Sequence, residues 1–170
     1  MTALLRAEDL TVRFRLAKQS LFGPAVHLEA VRQVSFTLEK GRALGIVGES
    51  GSGKTTTAMA AIRLTEAAGG KVLFEGEDLL ELDDEHMRLR RRDIQLIFQD
   101  PYSSLNPRAR VVDIVREPMD LMEIGTPEER EARVRDLFGL VGLRPDQLNL
   151  FPHQFSGGQR QRISIARALS

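Results

Sequence analysis

The sequence predicts a mixed α/β domain with a helical insertion that begins near residue 100. Three observations carry that prediction. Two N-terminal stretches alternate apolar and polar residues with period two, as half-buried strands do. A short, nearly continuous apolar run, Ala43-Leu44-Gly45-Ile46-Val47, leads into a glycine-rich loop and then a helical pattern. Residues 108–150 change character and read as helices.

Taken in order, Leu4 to Phe14 reads as a strand, with Leu10, Val12 and Phe14 on one face. Residues 15–30 read as a loop, signalled by Gly23-Pro24. Val34, Phe36 and Leu38 alternate again before a turn at Glu39-Lys40-Gly41. The run 43–47 predicts a strand buried on both faces. A helix follows from about Lys54 to Leu64 and stops before Gly69-Gly70; Lys71 to Phe74 makes a short strand. Asp83-Asp84-Glu85 followed by Arg88, Arg90, Arg91 and Arg92 predicts a solvated helix, acidic at its start and basic at its end, which complements the helix dipole. Ile94 to Phe98 reads as another buried strand, and residues 99–107 break regular structure. Thr126-Pro127-Glu128-Glu129 is a capping box with proline at the first helical position. Val134, Leu137, Phe138 and Val141 then line one face, and Gly142 ends the helix.

Composition narrows the function classes. The chain has 170 residues, with 24 basic and 24 acidic side chains and no cysteine. That length suits one domain, or one domain with an inserted subdomain. A net charge of zero gives no global pull toward nucleic acid. Without cysteine there is no disulfide, thiolate zinc site or cysteine-ligated cluster within these residues. No stretch approaches the roughly 18 apolar residues of a membrane span. Glu8 and Asp9 stand where a signal peptide would need an apolar core. His27, His86 and His153 lack metal-ligand spacing and read as surface residues.

The most specific motif is Gly48-Glu49-Ser50-Gly51-Ser52-Gly53-Lys54-Thr55, which matches G-x-x-x-x-G-K-S/T. It follows the predicted buried strand 43–47 and opens a helix, the context the motif requires. Glycines let the backbone curl so that several N–H groups converge on phosphate oxygens, and the helix N-terminus adds a favourable dipole. Residues 48–56, Thr56 included, are therefore the candidate nucleotide-binding segment. Lys54 is placed to reach the β- and γ-phosphates, and the Thr55 hydroxyl to ligate Mg²⁺.

A second glycine pair stands at Phe155-Ser156-Gly157-Gly158-Gln159, ahead of another helical pattern. Ser156 with Gln159 three residues on is a capping box. The same residues also suit an anion: a hydroxyl, two unhindered glycine amides and a helix start. Two phosphate sites about a hundred residues apart do not fit one nucleotide with a single γ-phosphate.

These segments, with Gln99 at the end of the predicted strand 94–98, resemble an ABC-type ATPase. The resemblance covers essentially the whole chain. It implies a P-loop NTPase fold: an ABC-type nucleotide-binding domain with an N-terminal antiparallel β-subdomain and an inserted helical subdomain. The division it implies is residues 1–98 for the ATP-binding core with its β-subdomain, 99–155 for the Q-loop and helical subdomain, and 156–170 for the signature and its helix. In that family two such domains pack head to tail, so Ser156, Gly157, Gly158 and Gln159 would close over ATP held by the partner subunit, which resolves the two-site puzzle. Gln99 would be the Q-loop glutamine near Mg²⁺ and the attacking water, which makes it, with Lys54, a candidate catalytic residue and, with Thr55, a candidate metal residue. Read without the family, Gln99 is a solvated residue. Phe14 is either the aromatic that stacks on adenine or a strand core residue.

The segments 44–54, 97–108 and 151–169 look like the dipeptide, oligopeptide and nickel importer branch. That implies ATP and Mg²⁺ as ligands, a second ATPase subunit and membrane permeases as partners, an extracytoplasmic solute-binding protein as an indirect one, no nucleic acid, and a peripheral place on the cytoplasmic face of the inner membrane. The family also carries an apolar strand ending in Asp-Glu (Walker B), and no such strand occurs up to Ser170. The expectation is an N-terminal part or truncated form, incomplete at the C-terminus and without a general base. Ala43–Val47 is then expected to have an open edge. A soluble ABC ATPase outside transport, a non-catalytic nucleotide-binding fragment and a P-loop kinase are the competing readings; the signature argues against the kinase.

Overall fold

The computed structural model describes residues 3–15, 27–100 and 104–170, which form two compact units, 1–90 and 91–170. In the first unit a four-stranded antiparallel sheet has the order β2-β1-β3-β4, with β1 at Ala3–Arg15, β2 at His27–Glu39, β3 at Gly69–Phe74 and β4 at Glu77–Asp78. Leu10 and Val12 are fully buried, as their alternation predicts, and Val34, Phe36 and Leu38 are half-buried while Ser35 and Thr37 between them are exposed. Arg15 and residues 27–30, read as loop from the sequence, are strand. Residues 16–26, with Gly23-Pro24, lie outside the described residues.

The β1–β2 pairing slips around Asp9 and Gln33, both with positive φ, at 48° and 47°. Thr11 stitches the irregularity: its Oγ1 donates to the Asp9 carbonyl at 3.1 Å and accepts from the Gln33 N–H at 3.2 Å. Gly70 is needed where β3 meets the same bulge. Its φ is +94°, and a Cβ there would come within 2.5 Å of the Glu8 carbonyl oxygen. The glycine pair 69–70 thus begins β3 as well as closing the preceding turn.

Helix α1, Lys54–Ala61, packs on β1 and β2 through Ala60 and Ala61. It ends three residues before the expected Leu64, at a turn where Arg63 has φ 53°. Helix α2, Asp84–Arg90, buries Met87 and has the expected acidic start and basic end.

Two predicted strands are not strands. Residues 43–47 and 94–98 have no ladder partner among the described residues. Both were expected to be buried, yet Val47 is 91% exposed, and Leu44, Ile46, Ile97 and Phe98 are each more than 40% exposed. The reason is physical: an extended segment becomes a sheet strand, and hides its side chains, only through neighbours on its edges and faces.

The second unit is helical: α3 at Val111–Leu121, α4 at Pro127–Leu140 and α5 at Gly157–Ala168. The capping box at Thr126 forms as predicted, with Thr126 N–H donating to Glu129 Oε2 at 2.8 Å and Glu129 N–H to Thr126 Oγ1 at 3.3 Å. Val134, Leu137 and Phe138 are fully buried and meet Ile114, Val115, Leu143, Phe155 and Ile163 in one core; Val141 packs against its edge. Side chains buried to this degree each contribute about 1.5–3 kcal/mol. Gly142, at φ 69°, ends α4.

Candidate nucleotide-binding site

The loop 48–53 turns through Gly51 at φ 82° and Gly53 at φ 85°, and Gly53 is the N-cap of α1. A Cβ on Gly53 would approach the Ala30 carbonyl oxygen to 2.5 Å, and one on Gly48 would meet Ser52 Oγ at 2.8 Å. The backbone is therefore drawn in close, against β2 on one side and against itself on the other. Ser52 N–H donates to the Glu49 carbonyl at 3.2 Å. Ser50, Gly51, Ser52 and Glu49 lie exposed along the curl.

No side chain caps α1. The first N–H groups of a helix have no intrahelical acceptor, so the start of α1 offers donors and positive dipole to whatever lies in the loop. Lys54 folds back over this opening, its Nζ donating to the Glu49 carbonyl at 2.5 Å. A phosphate oxygen could take the carbonyl's place as acceptor for that amine.

The three threonines divide their work. Thr57 is buried, with its hydroxyl bonded to the Gly53 carbonyl at 2.9 Å, which ties the first turn of α1 to the loop. Among the described residues the Thr55 and Thr56 hydroxyls have no hydrogen-bond partner, and Thr55 is exposed, so its oxygen is available to a metal ion. Thr57 carries no motif signal; only its spacing, four residues after Gly53, marks it. Beside the loop lies an apolar cleft of about 360 Å³, lined by Val34, Phe36, Leu44, Ile46 and Val47 and reaching Ser52, Lys54 and Thr57.

Phe14 lies near the end of β1, paired with Leu28, and is 42% exposed. That exposure argues against the core reading. His27, His86 and His153 are all exposed.

Gln99 and the glycine pair belong to the second unit. Gln99 is exposed at the end of the unpaired segment 94–98. Ser156 caps α5 with both halves of its box: Gln159 N–H donates to Ser156 Oγ at 3.3 Å, and Ser156 N–H to Gln159 Oε1 at 3.0 Å. Buried Phe155 anchors the approach, and Arg160 Nε donates to the Pro152 carbonyl at 2.8 Å. A Cβ on Gly158 would meet nothing within 4 Å. Packing among the described residues thus gives no reason for glycine at 158.

Residues 31–170 match the ABC transporter family. The chain belongs to that family. Among curated ABC relatives it is 49% identical, over 144 residues, to the oligopeptide transport ATP-binding protein AppF of Bacillus subtilis, covering 84% of this chain and 44% of that protein. It is 46% identical, over 167 residues, to the glutathione import ATP-binding protein GsiA of Escherichia coli K12, covering 98% of this chain and 27% of the other. The chain therefore spans less than half the length of these curated relatives. Among solved structures it resembles the dimeric structure of MJ0796, a bacterial ABC transporter cassette, with a TM-score of 0.83, 28% identity, and coverage of 97% of this chain and 68% of that one. The fold is that of an ABC ATPase cassette, and the relatives lie in the peptide-importer branch that the sequence resembles. No helix among the described residues is long and apolar enough to cross a membrane.

Proposed function

We propose that this protein is the ATP-binding and ATP-hydrolysing subunit of an ABC importer for peptides or related small solutes. One observation supports it above the rest: the chain has two glycine-rich helix starts, one uncapped beneath Lys54 and one capped by Ser156, in separate units. Two copies arranged head to tail would use both on each nucleotide. The identities to an oligopeptide and a glutathione import protein supply the solute class.

In this reading the loop amides of residues 48–53 and the start of α1 bind the phosphates, Lys54 neutralises the β- and γ-phosphate oxygens, and Phe14 stacks on the adenine. Hydrolysis breaks the bond between the γ-phosphorus and the bridging oxygen; water adds to phosphorus, and the products are ADP and inorganic phosphate. The free, exposed Thr55 oxygen fits Mg²⁺, which supplies charge neutralisation to the phosphates. The role of Gln99 toward that metal rests on the resemblance alone. Ser156, Gly157, Gly158 and Gln159 contribute to the partner's nucleotide, with Ser156 and Gln159 held in shape by their mutual bonds. None of residues 1–170 is assigned the base that activates water. The expected partners are a second ATPase subunit and membrane permeases, with a solute-binding protein acting indirectly. The expected location is peripheral, on the cytoplasmic face of the inner membrane.

The test is Lys54→Ala in the protein as the cell makes it, assembled with its permeases. ATP turnover and solute uptake should fall by about a hundred- to a thousandfold, the scale of losing one preorganised charge contact. Unchanged ATP affinity and turnover would refute the site.

A further inference from the structure

Ser164 is the one buried polar side chain among the described residues of the second unit. Its neighbours on α5, Ile163 and Ala166, belong to the apolar core, and an alanine at 164 would serve packing as well. A buried hydroxyl is costly unless it is hydrogen-bonded. Its partner is the hydroxyl of Ser104, at 3.2 Å. One turn further along the same helix face, Arg167 Nη1 donates to the Ser104 carbonyl at 2.7 Å. Two side chains of α5 thus grip the hydroxyl and the backbone of one residue. The next residue, Leu105, is only 3% exposed and sits in the helical core.

Ser104 lies five residues after Gln99, and Ser164 eight residues after Ser156, on the helix that Ser156 caps. We propose that Ser164 and Arg167 are positioning residues. They fasten Ser104, five residues after Gln99, to the signature helix, so that Ser104 and Ser156 shift together during ATP turnover. An α-helix is stiff over the roughly 12 Å that eight residues span, so a displacement of Ser104 reaches Ser156. The inference rests on the ATPase reading above.

The test uses the protein as the cell makes it and compares Ser104→Ala, Ser164→Ala, the double variant and Ser104→Thr. Each alanine should lower kcat about tenfold and leave the KM for ATP within about twofold, because the nucleotide is held by the Lys54 loop. The double variant should match the singles rather than multiply them, as partners in one bond do. Ser104→Thr, which keeps the hydroxyl, should restore turnover, whereas a merely structural loss would track the melting temperature. Arg167→Ala should lower kcat further. Wild-type kcat in all variants, or multiplicative losses in the double, would overturn the proposal. An unmodified protein that binds ATP without hydrolysing it would refute the ATPase reading and the role built on it. Coupling between the two serines in thermal melts would then still report the bond itself.

Discussion

Helices α1 and α5 both start at glycine-rich turns, and they treat their first turns in opposite ways. At α1 the N-cap is Gly53, no side chain reaches the first amides, and the only local hydroxyl spent is that of Thr57. At α5 the N-cap is Ser156, and both halves of a capping box are closed. An uncapped start forgoes about 1 kcal/mol that a serine or aspartate would supply. In the ATPase reading proposed above, the uncapped start is the one that holds its own chain's nucleotide, so a missing cap is the more informative sign of a ligand. A complete cap stabilises its helix first and leaves only the neighbouring glycine to mark an approach from outside.

The largest effect that would break this comparison is Gly157→Asp. A carboxylate at α5 would face a partner's γ-phosphate in a site that excludes water, so turnover should fall about a hundredfold or more. ATP affinity of a single subunit should stay within about twofold, measured by titration with a fluorescent nucleotide. A parallel loss of affinity would mean that both helix starts serve one nucleotide within one chain.

Gly53→Ala tests the other start. The alanine would sit at φ 85° with its Cβ against the Ala30 carbonyl. A loss of about 1–3 kcal/mol in denaturant unfolding is expected, together with weaker ATP binding. Stability at the wild-type level would show that the loop is free to move away from β2.

A smaller effect sharpens the contrast. Thr126→Ala removes a capping box that has no ligand role, so α4 should lose about 1 kcal/mol while ATP binding and turnover stay constant. If turnover fell as well, capping in the second unit would be tied to function in general and not to α5.

The smallest effect concerns pH. His86 N–H and the ring Nδ1 both lie 2.8 Å from Asp83 Oδ1. Hydrogen bonds from the His86 backbone and then its ring hold the Asp83 carboxyl below its ordinary value. The hydrogen bond to Asp83, and then its charge, raise the imidazole above its ordinary 6.5. A raised histidine pKa stabilises the fold fully below 6.5 and ceases to do so as pH rises through the folded value. The melting difference between wild type and His86→Ala should therefore be small, largest in mild acid, and vanish at alkaline pH. A difference independent of pH would assign His86 a packing role.

Local signals were legible in the sequence and non-local ones were not. Both capping boxes and the α4 face at Val134, Leu137 and Phe138 depend on residues within four positions of one another, and each forms as read; the glycine loop 48–53 curls and opens α1 without the strand expected before it. Residues 43–47 and 94–98 have strand-like sequences, but strandhood is a property of a pair. The same limit hid the contact that makes Gly53 and Gly70 necessary, since Ala30 and Glu8 are far away in sequence. It also hid the Ser104–Ser164 bond, which spans sixty residues. Phe14 shows the reverse case: alternation put it in line with Leu10 and Val12 and left its role open, and near the end of the strand it is exposed.

The sheet order β2-β1-β3-β4 bears on how the chain is made. Every strand it pairs lies within residues 3–78, so the sheet can close while the ribosome is still adding residues 79–170. At about 5–20 residues per second that interval is on the order of ten seconds. Throughout it, Leu44, Ile46 and Val47, which join no strand of that sheet, remain partly exposed apolar surface.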